Sequence, residues 1–184
     1  MLLMLDLQNI QISRANESDA RELAEFAART FEEAFASQNN PDDLQAHLAS
    51  NYGVKQQSAE LRDPQVVSIL ARREGKLLAY AQVRRKSHPP CVTQPKPVEL
   101  HRFYVDQEAH GSGLAGLMME EVRNAASEMR GQSLWLGVWE RNPRAIRFYE
   151  KCGFSDVGSH VYQVGSDPQK DRVLITDIAM KDWR

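Results

Sequence analysis

The chain has 184 residues, of which 42% are hydrophobic and 26% charged, and its formal net charge is -2 at pH 7. This length and composition predict a single globular domain over residues 1–184 with a full apolar core. A net charge so close to zero argues against general nucleic-acid binding. The two cysteines lie far apart without CxxC or Cys/His ligand spacing, so we expect neither a metal site nor a disulfide scaffold.

The chain starts with the short apolar run MLLML, which is followed by Asp6 and has no basic segment before it. This pattern differs from that of a signal peptide. No apolar run is long enough to span a bilayer. We therefore expect a cytoplasmic protein without a membrane partner, and the sequence leaves both a monomer and a homodimer open.

The charges are unevenly distributed. Residues 1–60 hold ten acidic and four basic side chains, whereas residues 61–184 hold fifteen acidic and nineteen basic ones. An anionic ligand would prefer the second part of the chain and a cationic ligand the first. The alternative is that these charges only solvate helix faces.

In chain order, the first 64 residues predict a strand at 10–15 and helices at about 19–37 and 41–51, with a further helical stretch at 55–61. A β-hairpin follows at 65–73 and 76–86, and then a proline-rich loop at 87–97. The remainder predicts a strand at 98–105, a helix ending before Gly131, a strand at 134–139 and a helix at 144–151. Two last strands, 154–164 and 173–181, flank a polar turn at 165–171. The order β-α-α-β-β-β-α-β-α-β-β indicates a mixed sheet with helices.

The segment from Val98 to Arg130 reads as a strand, a glycine-rich turn and a helix. Its glycines are Gly111, Gly113 and Gly116. A glycine turn that opens a helix exposes backbone N–H groups at the positive end of the helix dipole, which favours phosphate binding.

Residues 111–116 also match the GxGxxG pattern of dinucleotide-binding folds. In those folds, however, the first glycine follows the strand almost directly, whereas here five residues separate Val105 from Gly111. The hairpins on either side of the segment also replace the repeated βαβ units that the dinucleotide fold needs. We therefore disfavour a nicotinamide enzyme.

The sequence from His110 to Ala115, HGSGLA, resembles the Gln/Arg-x-x-Gly-x-Gly/Ala motif of the GCN5-related N-acetyltransferase (GNAT) superfamily. His110 departs from the motif, which places a side-chain contact to phosphate in doubt. The sequence from Asn142 to Phe154, NPRAIRFYEKCGF, is similar to a second superfamily segment, N-x-x-A-x-x-x-Y-x-x-x-G-F. Further likeness to spermine/spermidine acetyltransferases of the PaiA type lies in FASQNNPDDLQAHL, in LHRFYV and in the last strands.

The resemblance covers nearly the whole chain and implies an α/β (α+β) GNAT fold, with a mixed, mostly antiparallel sheet of about seven strands and about four helices. It also implies acetyl-CoA as acyl donor and direct transfer in a ternary complex, without an acyl-enzyme at Cys152. Tyr149 matches the family's general acid, although spacing alone favours an aromatic anchor on a helix beside Phe148. The residues that the resemblance assigns to the cofactor are Phe103, Tyr104, Val105, His110, Gly111, Ser112, Gly113, Leu114, Ala115, Gly116, Asn142, Ala145 and Tyr149.

Arg144, Arg147 and Lys151 are candidates for a CoA phosphate, or they are only solvated. An amine must lose a proton before it attacks a thioester, so the site needs a proton acceptor. Glu99 is the preferred proton acceptor. Glu140, His101, His110 and a water chain remain alternatives.

The acidic N-terminal helices carry Glu32, Glu33, Asp42 and Asp43, which favour a polyamine or another cationic small amine as acceptor. Two alternatives remain open. The acceptor can be a protein N-terminus or lysine, or the domain can be a regulatory module that binds acyl-CoA without catalysis.

Overall fold

The computed structural model describes residues 7–179. Seven strands form one sheet: β1 (Ile10–Arg14), β2 (Val66–Arg73), β3 (Lys76–Arg84), β4 (Pro97–Val105), β5 (Ser133–Trp139), β6 (Ser155–Val164) and β7 (Asp167–Asp177). Five α-helices accompany it: α1 (Ala20–Phe35), α2 (Pro41–Asn51), α3 (Val54–Arg62), α4 (Leu114–Glu128) and α5 (Pro143–Lys151). The predicted mixed, mostly antiparallel sheet of seven strands is confirmed. The helices number five instead of about four, because residues 54–62 form a helix of their own after Gly53.

The strands lie in the order β1-β2-β3-β4-β5-β7-β6. Every neighbouring pair is antiparallel except β4 and β5, which are joined through α4 and run parallel. That parallel pair is short, since only residues 97–99 of β4 face residues 133–135 of β5. Beyond these three residues the two strands separate, and the sheet opens into a cleft.

Helices cover both faces of the sheet. On one face, α4 and α5 pack into a large apolar cluster through residues such as Leu114, Met118 and Val122, which recur at helical spacing. On the other face, α1 and α2 form a second cluster, to which α1 contributes Leu23, Phe26, Ala27 and Phe31. Both faces are thus closed, and the cleft between β4 and β5 lies between the two helical layers.

The last hairpin differs from the prediction. The polar segment 165–171 is not a turn, because β7 already begins at Asp167 and the connection consists of Gly165 and Ser166. Gly165 adopts a positive φ of 59°, which suits a tight hairpin. Residues 167–171 pair with β6 despite their polarity, since β6 is an edge strand open to solvent on its outer side. The predicted end of the strand at Lys181 lies outside the described residues.

β4 carries a β-bulge at His101. The register of β3 with β4 passes from Gln82 facing Arg102 to Val83 facing Leu100, so His101 is the extra residue. A bulge bends its strand and re-aims the side chain that it carries. Here it lies just after the point at which β4 leaves β5.

Within residues 7–179 no helix combines the length and the apolar character needed to cross a lipid bilayer.

Candidate active site

The space between β4 and β5 is a cavity of about 920 Å³. One end is bordered by β4, the glycine turn and α5, and the other by α1, β6 and β7. Most of the predicted site residues line it: Phe103, Tyr104, Val105, His110, Gly111, Gly113, Ala115, Asn142, Ala145 and Tyr149. Ser112, Leu114, Gly116 and Glu99 are not among the lining residues.

Within residues 7–179, no strand pairs with the cleft-facing edge of β4 over residues 100–105. Backbone N–H and C=O groups at such an edge need hydrogen-bond partners. At the end of this edge, the Val105 carbonyl oxygen lies 2.9 Å from Nε2 of His110 and can accept a hydrogen bond from it. An extended ligand with amide groups can pair with the remaining groups as an added strand would.

The glycine turn leads directly into α4. Gly111 and Gly113 have φ angles of 78° and 92°, a backbone conformation that side chains with a Cβ atom rarely adopt. Gly113 is the N-cap residue of α4, and Ser112 Oγ accepts from the Leu114 N–H at 3.2 Å. Leu114 itself is fully buried in the core. The turn therefore exposes the first turn of α4 with little side-chain bulk, as a phosphate site requires.

The side chain of His110 is held by the protein. Besides Val105, it contacts Arg144, whose Nη2 lies 3.2 Å from Nε2 of His110. Arg144 lines the cavity together with Arg141 and Arg147, whereas Lys151 does not. This end of the cavity is therefore positively charged, and it fits the phosphate groups of a nucleotide-like ligand.

Asn142 caps α5. Its Oδ1 accepts from the N–H of Ala145 at 3.1 Å, and Pro143 occupies the first helical position. The helix it starts presents Tyr149 to the cavity. Tyr149 is 9% exposed and packs against Phe103 and Phe154, with ring centroids 6.3 and 5.6 Å away. Burial raises the pKa of Tyr149 far above its ordinary value, so the phenol stays protonated at neutral pH.

Glu99 is held in an ion pair behind the cavity wall. Its two oxygens lie 2.6 and 3.1 Å from Nε and Nη2 of Arg84, and Nδ1 of His101 is 3.4 Å away. Burial alone would raise the pKa of Glu99, but His101 and Arg84 outweigh it and hold the pKa at about 2. These contacts make Glu99 a weak proton acceptor. They suit it better to orienting His101, which lines the cavity and whose own pKa burial lowers.

Of the four acids predicted to attract a cation, only Glu33 lines the cavity, and it pairs with Arg29 at 2.9 Å. Asp43 instead accepts from the Ser166 N–H at 2.6 Å. Glu32 and Asp42 are exposed and do not line the cavity. Charge counted along the N-terminal helices therefore overstated the charge that faces the ligand.

Sequence reasoning missed Asp171, a second carboxylate in the cavity. It was placed in a loop, but it lies in β7, opposite Trp139 of β5 and His160 of β6. Asp171 is 8% exposed. Burial, and then repulsion from Glu140, raises its pKa to about 7. No sequence motif marks this residue. Only its register opposite the cleft strand would have revealed it.

Aromatic side chains surround the end of the cavity that α1, β6 and β7 border. Phe31 and Phe35 lie on α1 with ring centroids 4.7 Å apart, and Phe35 meets Trp139 at 6.0 Å. Six aromatic residues line this end: Phe31, Phe35, Tyr52, Tyr104, Trp139 and Tyr162. Faces of such rings attract organic cations and also pack against apolar chains.

Comparisons with known proteins identify the chain. Residues 21–154 match the model of the Acetyltransferase (GNAT) family. The chain belongs to the GNAT family. It is therefore an acetyltransferase, and the family uses acetyl-CoA as its acyl donor.

Three similar proteins illustrate the range of the family. An uncharacterized N-acetyltransferase of Mycobacterium tuberculosis is 31% identical over 161 residues, which cover 88% of this chain and 99% of that protein. The spermine/spermidine N(1)-acetyltransferase of Bacillus subtilis is 33% identical over 58 residues, 31% of this chain and 38% of that enzyme. The PaiA N-acetyltransferase of Thermoplasma acidophilum, solved with coenzyme A, superposes with a TM-score of 0.74 at 16% identity. That superposition covers 91% of this chain and 98% of the other.

The first prediction concerns the glycine turn. We expect Gly113→Ala to weaken acetyl-CoA binding at least tenfold, because the αL backbone at the start of α4 must shift. Isothermal titration calorimetry measures the dissociation constant. The matched control is Gly75→Ala in the β2–β3 turn, where φ is 81° and a Cβ atom would meet open space. That variant should lose similar stability and bind acetyl-CoA normally. Equal affinities of both variants would contradict a ligand role for the turn.

The second prediction concerns the Glu99–Arg84 pair. A folded-state pKa below the ordinary one contributes stability that is present at neutral pH and lost as the pH falls toward about 2. Glu99→Gln should therefore lower the free energy of unfolding by about 1–3 kcal/mol at pH 7, and by less at pH 3. Urea unfolding at both pH values measures the difference. Glu128→Gln, which removes an exposed ion pair with Arg14, is the control and should change little. A difference that is the same at pH 7 and pH 3 would rule out the ion pair as its source.

Proposed function

We propose that the protein transfers the acetyl group of acetyl-CoA to the primary amine of a small cationic molecule, with both substrates bound at once. The observation that carries the proposal is the single cavity that joins two chemically different ends. The open β4 edge, the glycine turn and Arg144 fit a thioester with phosphate groups. Aromatic rings and the carboxylates of Glu33 and Asp171 fit an amine, and we call the part of the cavity that they line, next to α1, β6 and β7, the acceptor end. Tyr149 on α5 also lines the cavity, beside Phe103 of β4.

The chemistry follows from this arrangement. An amine that has lost its proton forms a C–N bond with the acetyl carbon, and the C–S bond of the thioester then breaks. Backbone groups of Phe103 and Val105, which point away from β3, can pair with the donor and polarise its carbonyl. Tyr149 keeps its proton at neutral pH and can give it to the departing thiolate.

A small acceptor is favoured over a protein segment by the way the acceptor end is bordered. The β6–β7 hairpin is tied to the α1–α2 region by three hydrogen bonds, one of which joins Tyr162 Oη and His47 Nε2 at 3.3 Å. Ser166 N–H donates to Asp43 at 2.6 Å, and Gln169 Nε2 donates to Asn39 Oδ1 at 2.5 Å. Asn39 and Gln169 both line the cavity, so these ties narrow the path that a peptide would need.

Within small amines, polyamines are the first class to test. The Bacillus subtilis relative, which matches this chain over 58 residues, is named as a spermine/spermidine acetyltransferase. The aromatic rings of the acceptor end also suit organic cations, and both observations support this choice. Only two carboxylates line the described cavity, so monoamines with an apolar body are the next class.

The third prediction is the acceptor preference. Release of free CoA thiol should be measured with spermidine, spermine, cadaverine, tyramine and glycine, and with peptides carrying a free N-terminus or a lysine. We expect turnover of cationic small amines and little with glycine or the peptides. Preference for peptides would favour a protein acetyltransferase. Acetyl-CoA binding without thiol release on any acceptor would favour a binding module.

The fourth prediction concerns Tyr149. Tyr149→Phe keeps the ring contacts and removes the hydroxyl, so kcat should fall about 100-fold or more while acetyl-CoA affinity stays the same. Tyr80→Phe is the matched control, because Tyr80 is fully buried and does not line the cavity. Normal turnover by Tyr149→Phe would remove the residue from the acid role.

A further inference from the structure

One carboxylate in the cavity has no basic partner that holds its charge. Among the described residues, Glu33 pairs with Arg29, but no lysine or arginine lies within 4 Å of Asp171. The nearest titratable nitrogen is Nε2 of His160, at 3.9 Å from Oδ2 of Asp171. A buried carboxyl group without a basic partner normally either binds a cation or stays protonated.

The strand opposite makes room for this pair. Gly137 of β5 faces the cavity, and a Cβ atom there would come within 2.7 Å of His160 Nε2 and 3.1 Å of Asp171 Oδ2. Any other residue at this position would push the two side chains away from the cleft. The absence of a side chain thus allows Asp171 to reach the cavity between Trp139 and His160.

The groups around Asp171 keep its charge uncompensated. His160 on β6 is itself kept neutral, because burial lowers its pKa below the ordinary value. Tyr162, also on β6, is a neutral phenol whose pKa burial raises. Glu140, beyond the end of β5, repels the carboxylate and is bridged by Lys170 at 3.6 Å. The facing charges therefore favour arrival of a cation or a proton.

We propose that Asp171 receives the ammonium of the acceptor and takes its proton before acetyl transfer. This inference rests on the proposed function and assigns the proton acceptor that the sequence sought in Glu99. Glu99 is occupied by Arg84 and does not line the cavity, whereas Asp171 lines it with a carboxyl whose pKa of about 7 matches the working pH.

The steps balance as follows. The ammonium gives one proton to the Asp171 carboxylate and becomes a neutral amine. The nitrogen lone pair forms the C–N bond, and the electrons of the breaking C–S bond leave with sulfur. The thiolate takes the proton of Tyr149. The second nitrogen proton returns to the phenolate, and the Asp171 proton passes to solvent, so the products are an amide, a free thiol and one proton.

The test is Asp171→Asn, which keeps the shape of the side chain and removes the proton acceptor. Asp156→Asn on β6 is the control, since that residue is exposed and does not line the cavity. Both variants and the wild type are assayed for thiol release with spermidine, cadaverine and tyramine from pH 6 to pH 9.5. Binding of the same amines is measured by calorimetry.

We expect Asp171→Asn to lower kcat/KM about 100-fold or more at pH 7 and to leave acetyl-CoA affinity unchanged. The wild type should stop gaining activity above about pH 7. The variant should gain about tenfold per pH unit up to the amine pKa near ~10, because the amine then deprotonates in solution. A merely structural role would not produce this slope.

Folding gives an independent readout. Because the folded-state pKa of Asp171 is raised, this carboxyl makes the folded protein less stable as the pH rises from about 4 through about 7. Asp171→Asn should therefore raise the melting temperature at pH 8 and leave it nearly unchanged at pH 4. Amine binding at pH 8 should be at least tenfold weaker than in the wild type.

Three results would overturn the inference. If the wild type is active and Asp171→Asn has the same rate and pH profile, the proposed function stands and the proton acceptor is another group. A variant whose deficit stays constant with pH would make Asp171 a positioning residue only. A wild type that releases no thiol with any amine or peptide would overturn both the proposed function and the inference.

Discussion

The separation of β4 from β5 is the constraint on which the site depends. Three residues of each strand pair in parallel, and then β4 continues beside β3 while β5 continues beside β7. The bulge at His101 coincides with this departure and bends β4 away. A sheet interior opened in this way leaves backbone groups that need a partner, which burial makes costly to leave unpaired. The fold thus supplies a half-made strand ladder beside a helix N-terminus, and a thioester ligand can complete it.

Two carboxyl groups near this opening show how environment decides chemistry. Glu99 and Asp171 are both nearly buried, and burial raises the pKa of each. Arg84 and His101 reverse the effect at Glu99, whereas Glu140 adds to it at Asp171. The first carboxylate is therefore a structural anion that stabilises the native state at neutral pH. The second costs stability at neutral pH, and such a cost is typical of a functional group.

Local sequence carried enough information for part of this site. The glycine turn and the Asn142 cap depend on backbone conformations that neighbouring residues dictate, so their patterns were readable in the sequence. Arg84 and Glu99 are partners across the β3–β4 ladder, and Asp171 reaches the cleft only through the register of β5 with β7. Such contacts between distant segments are not encoded in spacing. The polar residues before Asp171 looked like a loop for the same reason.

Burial also relates the proton acceptor to the substrate. In water the pKa of an ammonium group is ~10 and that of a carboxyl group is ~4. Proton transfer from the ammonium to the carboxylate is therefore strongly uphill. Within the cavity the pKa of the Asp171 carboxyl is raised to about 7. An ammonium placed among Phe31, Phe35 and Trp139 is desolvated and becomes more acidic. Both shifts narrow the gap, and both have the same cause. Burial also keeps the Tyr149 phenol protonated at neutral pH, as the proposed acid role requires. In the proposed mechanism, burial in one cavity therefore both makes the amine reactive and keeps a proton on Tyr149 for the leaving sulfur.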